Sequence, residues 1–333
     1  MDRFFRSCIH STQPTKTFQT GSESRQAPAL LLGAHQALGQ IFSHLGEWTL
    51  ARVHLEQGIA LSPLQPQDSQ VFLYGQEPRV ACLAYAASTL WPLGYPHQAR
   101  DHIHTMLTLA RELSHPFTLM SALLYAGQFP GFLREGAVVQ ALAEEALALC
   151  REQGFALGRA RGTLMRGWAF AAQGQREEGL AQMCQGLAAF RVTGAQAGLA
   201  LYLGLLAEVY GGAGQPTEGL RTLAEALAVM YQHGLYGFEA HLYWLKGELL
   251  LAQWPGSAPE AETCFQQARD VARRQEAKSL ELRAAMSLAR LWQQQGKRQD
   301  AHNLLAPIYG WFTEGFDTAD LQEAKALLEE LGG

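Results

Sequence analysis

The strongest constraint on this chain is a short segment that recurs at intervals of about forty residues, a glycine turn followed five positions later by a small residue that begins to pack a helix. It appears as Gly46 with Ala51, Gly94 with Ala99, Gly174 with Gly179, Gly214 with Gly219 and Gly296 with Ala301, while Arg134 with Val139 keeps the register as a degenerate copy. Self-similarity of this length predicts a stack of helical units, none of which can bury its apolar face alone.

Each copy reads as two antiparallel helices joined by a tight turn. In the first, Leu30 to Leu45 carries apolar residues at helical spacing, Gly46-Glu47 turns the chain and Thr49 to Leu61 returns. Ser62-Pro63 then ends the pair, because proline disfavours helix in the residue before it. Small residues at Gly39, Ala51 and Gly58 let the two helices approach, and Phe42 and Leu55 fill the seam. Together with Leu38 and Pro63 these spacings resemble the tetratricopeptide repeat. The pattern continues through Ala87, Leu90, Ala99 and Ile103; Gly127, Val139 and Ala146; Gly167, Phe170, Gly179, Met183 and Gly186; Ala207, Tyr210, Gly219, Leu223 and Ala226; Gly247, Leu250, Ala261, Phe265 and Ala268; and Ala289, Trp292, Ala301 and Leu305.

The expected fold is all-α, a right-handed α-solenoid of about seven tetratricopeptide-like helix pairs with a C-terminal capping helix. Residues 1–28, rich in Ser, Thr and Gln and without the apolar core of a signal peptide, are expected to form a poorly ordered leader. The array is expected over 29–316, and 317–333 as a cap opened by Asp317 or Thr318. Pro130 and Gly131 should kink or shorten the first helix of the third unit. Gln65 to Pro78 is a longer connector, and Trp254 to Pro259 a small insertion in the turn of the sixth unit.

Charge and motif content narrow the function. With 26 lysines and arginines against 31 aspartates and glutamates, the chain lacks the basic field of a nonspecific nucleic-acid binder. Its longest apolar run, Ala197 to Ala207, falls well short of the roughly twenty residues of a membrane span. Five scattered cysteines without a C-x-x-C pair predict buried thiols in a reducing cytoplasm. Gly296-Lys297 follows no glycine-rich loop, so a phosphate cradle is not expected. Beside His97, His102 and His104 stand two apart and point nearly opposite ways on a helix, a poor metal pair. The doublets Glu144-Glu145, Glu177-Glu178 and Glu329-Glu330 do not face each other, and Cys82, Cys150 and Cys264 have no visible base. The chain is therefore expected to be noncatalytic, with no cofactor and no metal.

In a stacked array the first helix of each pair lines the concave face, which binds an extended segment or a helix of a partner. One face of each such helix gives the stripes Tyr85, Ser88 and Trp91; Ser121, Leu124 and Gln128; Arg161, Leu164 and Trp168; Glu208 with Gly204 and Gly211; His241, Trp244 and Glu248; and Arg283, Met286 and Arg290. The expected partner-binding groove is thus Tyr85, Trp91, Gln128, Arg161, Trp168, Glu208, His241, Trp244, Glu248, Arg283 and Arg290. Aromatics mixed with isolated charges suit a protein or peptide with apolar anchors. Spacing alone leaves open whether Trp91, Trp168 and Trp244 are groove or core, since it does not fix the helix rotation. A competing expectation places a nucleotide or small molecule against Arg159, Arg161 and Arg166.

Four segments are distinctive beyond the repeat: Leu73 to Leu83 around Tyr74-Gly75-Gln76-Glu77-Pro78, Arg166-Gly167-Trp168-Ala169, Leu245-Lys246-Gly247-Glu248-Leu249-Leu250, and Tyr309 to Leu321. They resemble the C-terminal tetratricopeptide region of large bacterial signalling proteins that carry an ATPase module behind a class III adenylate or guanylate cyclase, or sometimes a kinase. The likeness runs from Leu30 to Leu331. It implies a scaffold or sensor in bacterial signalling that takes a protein or peptide partner and associates with cyclase or ATPase domains, while the charge balance, the short apolar runs and the cysteines set the expectation of no nucleic-acid partner, no membrane role and a cytoplasmic location. The alternative it implies is a fragment of such an enzyme that contributes a nucleotide or small-molecule site. It transfers no catalytic residue, because the catalytic domains of those relatives have no counterpart in this sequence.

Overall fold

The computed structural model describes residues 23–61, 76–128 and 135–332. Among the described residues there are fifteen α-helices and no strand, and the fold is an all-α tetratricopeptide-like solenoid. Seven antiparallel pairs follow one another: α1 (Glu23–Leu45) with α2 (Trp48–Leu61), α3 (Pro78–Leu93) with α4 (Pro96–Glu112), α5 (Pro116–Gln128) with α6 (Gly136–Gln153), and α7 (Ala156–Ala172) with α8 (Arg176–Val192). Then come α9 (Leu199–Gly212) with α10 (Pro216–His233), α11 (Glu239–Gln253) with α12 (Ala258–Arg274), and α13 (Lys278–Gln294) with α14 (Arg298–Tyr309), and α15 (Ala319–Gly332) closes the stack.

The recurring glycine makes the reversal within a pair. Gly94, with φ of 95°, sits in the left-handed region that favours glycine and returns its N–H to the carbonyls of Leu90 and Trp91. Inside a pair the small residues set the distance between helices. A Cβ built on Gly39 would stand 2.5 Å from Cγ of Leu55, and one on Gly179 would stand 2.6 Å from the carbonyl oxygen of Gly167. The second helices are amphipathic, as in α4, where Ala99, Ile103, Met106 and Ala110 form a buried stripe. Three of the first helices, α3, α9 and α13, are buried nearly all round. Within the helix α3, only Arg79 and Trp91 keep partial exposure.

That burial has a cause the repeat pattern does not contain. The array bends until its first two units meet its sixth and seventh. Trp48 and Leu93 pack with Ala240, Val271, Ala272, Ala277 and Leu280 in one apolar cluster. Around it, Thr49 Oγ1 donates to Glu276 Oε2 at 2.6 Å and Ser279 Oγ donates to the Trp91 carbonyl at 2.7 Å. Further along, the backbone N–H of His97 and the side-chain amide of Gln98 donate to Glu314 at 2.8 and 2.9 Å, and His97 Nε2 pairs with Asp317 at 2.6 Å. The inner wall is thereby enclosed.

Several boundaries differ from expectation. Helix α1 starts at Glu23, inside the stretch expected to be a leader. Thr318 stands at the cap position of α15, its carbonyl accepting from Gln322 N at 3.0 Å, but its hydroxyl turns back to the Gly315 carbonyl. Asp317 turns instead to His97 and Arg100 of the second unit, so the segment before α15 serves closure as well as capping. The insertion in the sixth unit is a single 3-10 turn, Pro255–Ser257. Cys82, Cys150 and Cys264 are buried, and burial pushes the Cys82 thiol up to about 12. Cys184 is exposed, a correction: it stands one residue past Met183 and off the buried stripe of α8. Cys8, Pro63, Pro130, Gly131, Arg134 and nearly all of the 65–78 connector lie outside the described residues, as do positions 1–22 of the expected leader. Among the described residues no helix is long and apolar enough to cross a membrane.

Candidate functional site

Closure divides the inner wall into two regions. The first is a chamber of about 230 Å³ bounded by the first helices of five consecutive units: Ser43 and His44 on α1, Tyr85 and Ser88 on α3, Tyr125 on α5, Leu157 and Arg161 on α7, and Leu201 and Tyr202 on α9, with Phe238 from the 3-10 turn Tyr236–Phe238. The repeat period puts its polar groups together. Tyr85 and Tyr125, 40 residues apart, bring their hydroxyls within 2.7 Å, and Arg161 Nε donates to the Tyr202 hydroxyl, 41 residues on, at 2.9 Å. The Arg161 guanidinium carbon also lies 5.1 Å from the centroid of the Tyr125 ring, a cation over a π face.

Electrostatics follow from this packing. Burial works against the charge on Arg161, but the phenols of Tyr202, Tyr125 and Tyr85 outweigh it and raise its pKa above the usual value. Burial, then the neighbouring Tyr125, pushes the Tyr85 phenol well above its ordinary range, so it stays protonated. Among the described residues no aspartate or glutamate lines the chamber. It is an apolar cavity with a fixed cation and a set of hydroxyls, able to hold an apolar group and to hydrogen-bond a polar or anionic one.

The second region is a seal. Arg283, 5% exposed, donates to Asp320 Oδ2 at 2.9 Å, with its guanidinium 4.8 Å from the Trp91 ring and 5.8 Å from the Trp244 ring. Trp244 Nε1 donates to Ser287 Oγ at 2.9 Å, and that hydroxyl donates to Glu248 Oε1 at 2.5 Å. The His241 ring lies 5.3 Å from Trp244. Burial, reinforced by Arg283 and opposed by Asp320, lowers the His241 pKa to about 3. Its folded pKa is below that of the unfolded chain, so the unfolded state takes up the proton first. Stability is therefore expected to fall as pH drops from about 6.5 towards 3, by on the order of 1 kcal/mol per pH unit for this group. Acid unfolding followed by circular dichroism should show a shallower fall over that window in His241→Gln.

The expected groove is thus corrected in part. Tyr85 and Arg161 reach the chamber, whereas Trp91, His241, Trp244, Glu248 and Arg283 converge on the seal. Trp168 is a buried member of the main core. Glu208 is half-buried on α9, and Arg290 is exposed and paired with Glu323 at 3.2 Å. Gln128 is the last residue of α5, and its side chain lies outside the description. The expectation that Arg159, Arg161 and Arg166 share a phosphate is also corrected. Arg159 is exposed, and Arg166 Nε donates to Gln182 Oε1 at 2.7 Å across the α7/α8 seam. Tyr125 and Tyr202 escape the sequence reading because its stripes on α5 and α9 fall one or two residues out of rotation. Gly204 and Gly211 face Leu242 and Leu249 of the next unit instead. The tyrosines at one repeat's distance, 85 and 125, are the signal that could have found the chamber.

No protein-family model matches the chain, and no curated protein matches it. Solved structures do. A Rap protein complexed with competence and sporulation factor superposes with a TM-score of 0.59 at 13% identity, over 90% of this chain and 80% of that one. Aspartyl phosphate phosphatase F from Bacillus subtilis gives 0.55 at 12% identity, over 86% and 71%. A signal transduction ATPase with a tetratricopeptide repeat sensor from Pyrococcus horikoshii gives 0.47 at 14% identity, over 84% and 42%. At these identities the first two likenesses bear on the fold alone, and the third is too distant to bear on more.

Proposed function

We propose that the chain is a noncatalytic binding module that takes a segment of a protein or peptide partner against its inner wall, with one apolar or aromatic side chain of that partner seated in the chamber. The observation that carries this is the chamber itself. Five successive first helices contribute to one cavity whose aromatic walls and single guanidinium, Arg161, offer both an apolar anchor site and a polar check. The solved Rap protein, of similar fold, is complexed with competence and sporulation factor, which supports a binding role for an enclosed helical array of this kind. A place in bacterial signalling, in the cytoplasm and alongside cyclase or ATPase domains, is the finer part of the proposal and rests on the sequence resemblance. The nucleotide-site alternative gains nothing from the geometry, because its three arginines diverge.

Selection of peptides from a random displayed library on the full chain tests the proposal. Arg161→Gln is expected to weaken the selected peptides at least about tenfold, as loss of a charged hydrogen bond in a desolvated site does. Arg159→Gln, on the exposed side of the same helix, should leave them unchanged. Failure to select any peptide, or equal binding by both variants with unaltered melting, would refute the chamber as the recognition site.

A further inference from the structure

The two ends of the stack are finished differently. At the C-terminal end α15 buries Leu321, Ala324, Leu327 and Leu331 and turns Gln322, Lys325, Glu329 and Glu330 to solvent, the polar cap that a solenoid needs. At the other end α1 does the opposite. Leu31, Ala34, Leu38, Ile41 and Leu45 are exposed along its outer face, with Leu30 beside them, and their spacing of three, four, three and four is that of a coiled-coil seam. The inner stripe of the same helix, Leu32, Gln36, Gly39 and Ser43, is the one that packs into the array. On α2, Leu50 and Val53 are also exposed, at 46% and 45%.

We infer that this face pairs with the same face of a second copy, α1 against α1 in antiparallel order. Two features favour a copy of this chain over a different partner. From Gln26 to Leu45 the helix carries no aspartate, glutamate, lysine or arginine, so two such faces meet without like-charge repulsion. The stripe is also complementary to its own reverse. With a two-fold axis between Leu38 and Ile41, Leu38 of each copy lies opposite Ile41 of the other, and the small Ala34 lies opposite the larger Leu45, the self-matching an isologous interface requires. The chamber and the closure contacts are on other surfaces of α1 and stay intact in the pair.

Sedimentation velocity of the full chain across a concentration series tests the inference. The expected result is a species of twice 36.6 kDa that dissociates on dilution. Leu38→Glu and Ile41→Lys should each weaken association at least about tenfold, because each sets a charge against an apolar residue. Mixing the two variants should restore it, since the introduced carboxylate of one copy then faces the introduced ammonium of the other. Both positions are partly exposed in the single chain, so melting temperatures should stay close to the parent and report any failure to fold. A parent chain that is monomeric at every concentration, as expected if residues 1–22 or another protein cover the face, would overturn the inference. So would a dimer that survives either substitution, or a mixture that stays monomeric.

Discussion

Leucine in place of Gly179 is expected to cost about 3–4 kcal/mol of stability, enough to open the middle of the array. At the α7/α8 seam two helices approach backbone to backbone through Gly167 and Gly179. A Cβ at Gly179 would stand 2.6 Å from the Gly167 carbonyl oxygen and 2.8 Å from the Ala171 nitrogen, and one at Gly167 would meet the Gly179 carbonyl at 2.8 Å. These are backbone atoms of the facing helix, which cannot swing aside as a flexible side chain can. A larger residue must push the helices apart, and Met183, Leu164 and Phe190 lose their packing with them. Gly212, whose added Cβ meets nothing within 4 Å, provides the contrast: Gly212→Ala should be neutral or slightly stabilising. Urea unfolding of both variants checks this, and a loss under about 1 kcal/mol for Gly179→Leu would refute the close-approach account.

Alanine at Asp320 is expected to destabilise by about 3–5 kcal/mol, the cost of leaving a buried guanidinium without the carboxylate opposite it. The Arg283 and Asp320 side chains are 6% and 10% exposed. Arg283 cannot reach water by a small rotation, because Trp91 and Trp244 stand over it. Loss of the carboxylate also frees α15, whose first turn this pair fastens to α13. Replacing both residues, Arg283→Met with Asp320→Leu, should recover most of the loss, since an apolar pair of similar volume needs no desolvated charge. Thermal unfolding of the single and double variants distinguishes the two costs. Equal destabilisation by both would mean that packing, not charge, dominates the seal.

The units are legible in the sequence because a repeat constrains itself: Gly39 against Leu55 in the first pair and Gly247 against Phe265 in the sixth are the same small-against-large contact between the two helices of a pair. Local spacing also locates the turns. What spacing does not supply is helix rotation to within one residue, and on an inner helix buried all round, apolar periodicity carries little phase. Hence Tyr125 and Tyr202 stay hidden beside Leu124 and Gly204. Closure is illegible for a different reason. It depends on the sum of small rotations between units, and its bonds, such as His97 with Asp317, join residues 220 apart that no local pattern relates. Trp91, Trp244 and Arg283 are candidates for the groove from spacing alone, and their role as a seal follows only from the meeting of the ends.

That meeting changes how the molecule comes apart. A linear stack of repeats frays from its termini, since an end unit has one neighbour and each inner unit has two. Here Trp48 gives the first unit a second neighbour and Leu93 gives the second unit a third, so the chain is bound more like a hoop than a rod. Amide exchange in α2 and α3 should then be as slow as in α7, and should quicken at both ends together when the clasp is cut. Folding inherits the same asymmetry. Neighbouring pairs can zip up in any order, but the clasp waits on the loop-closure entropy of more than two hundred residues and forms last.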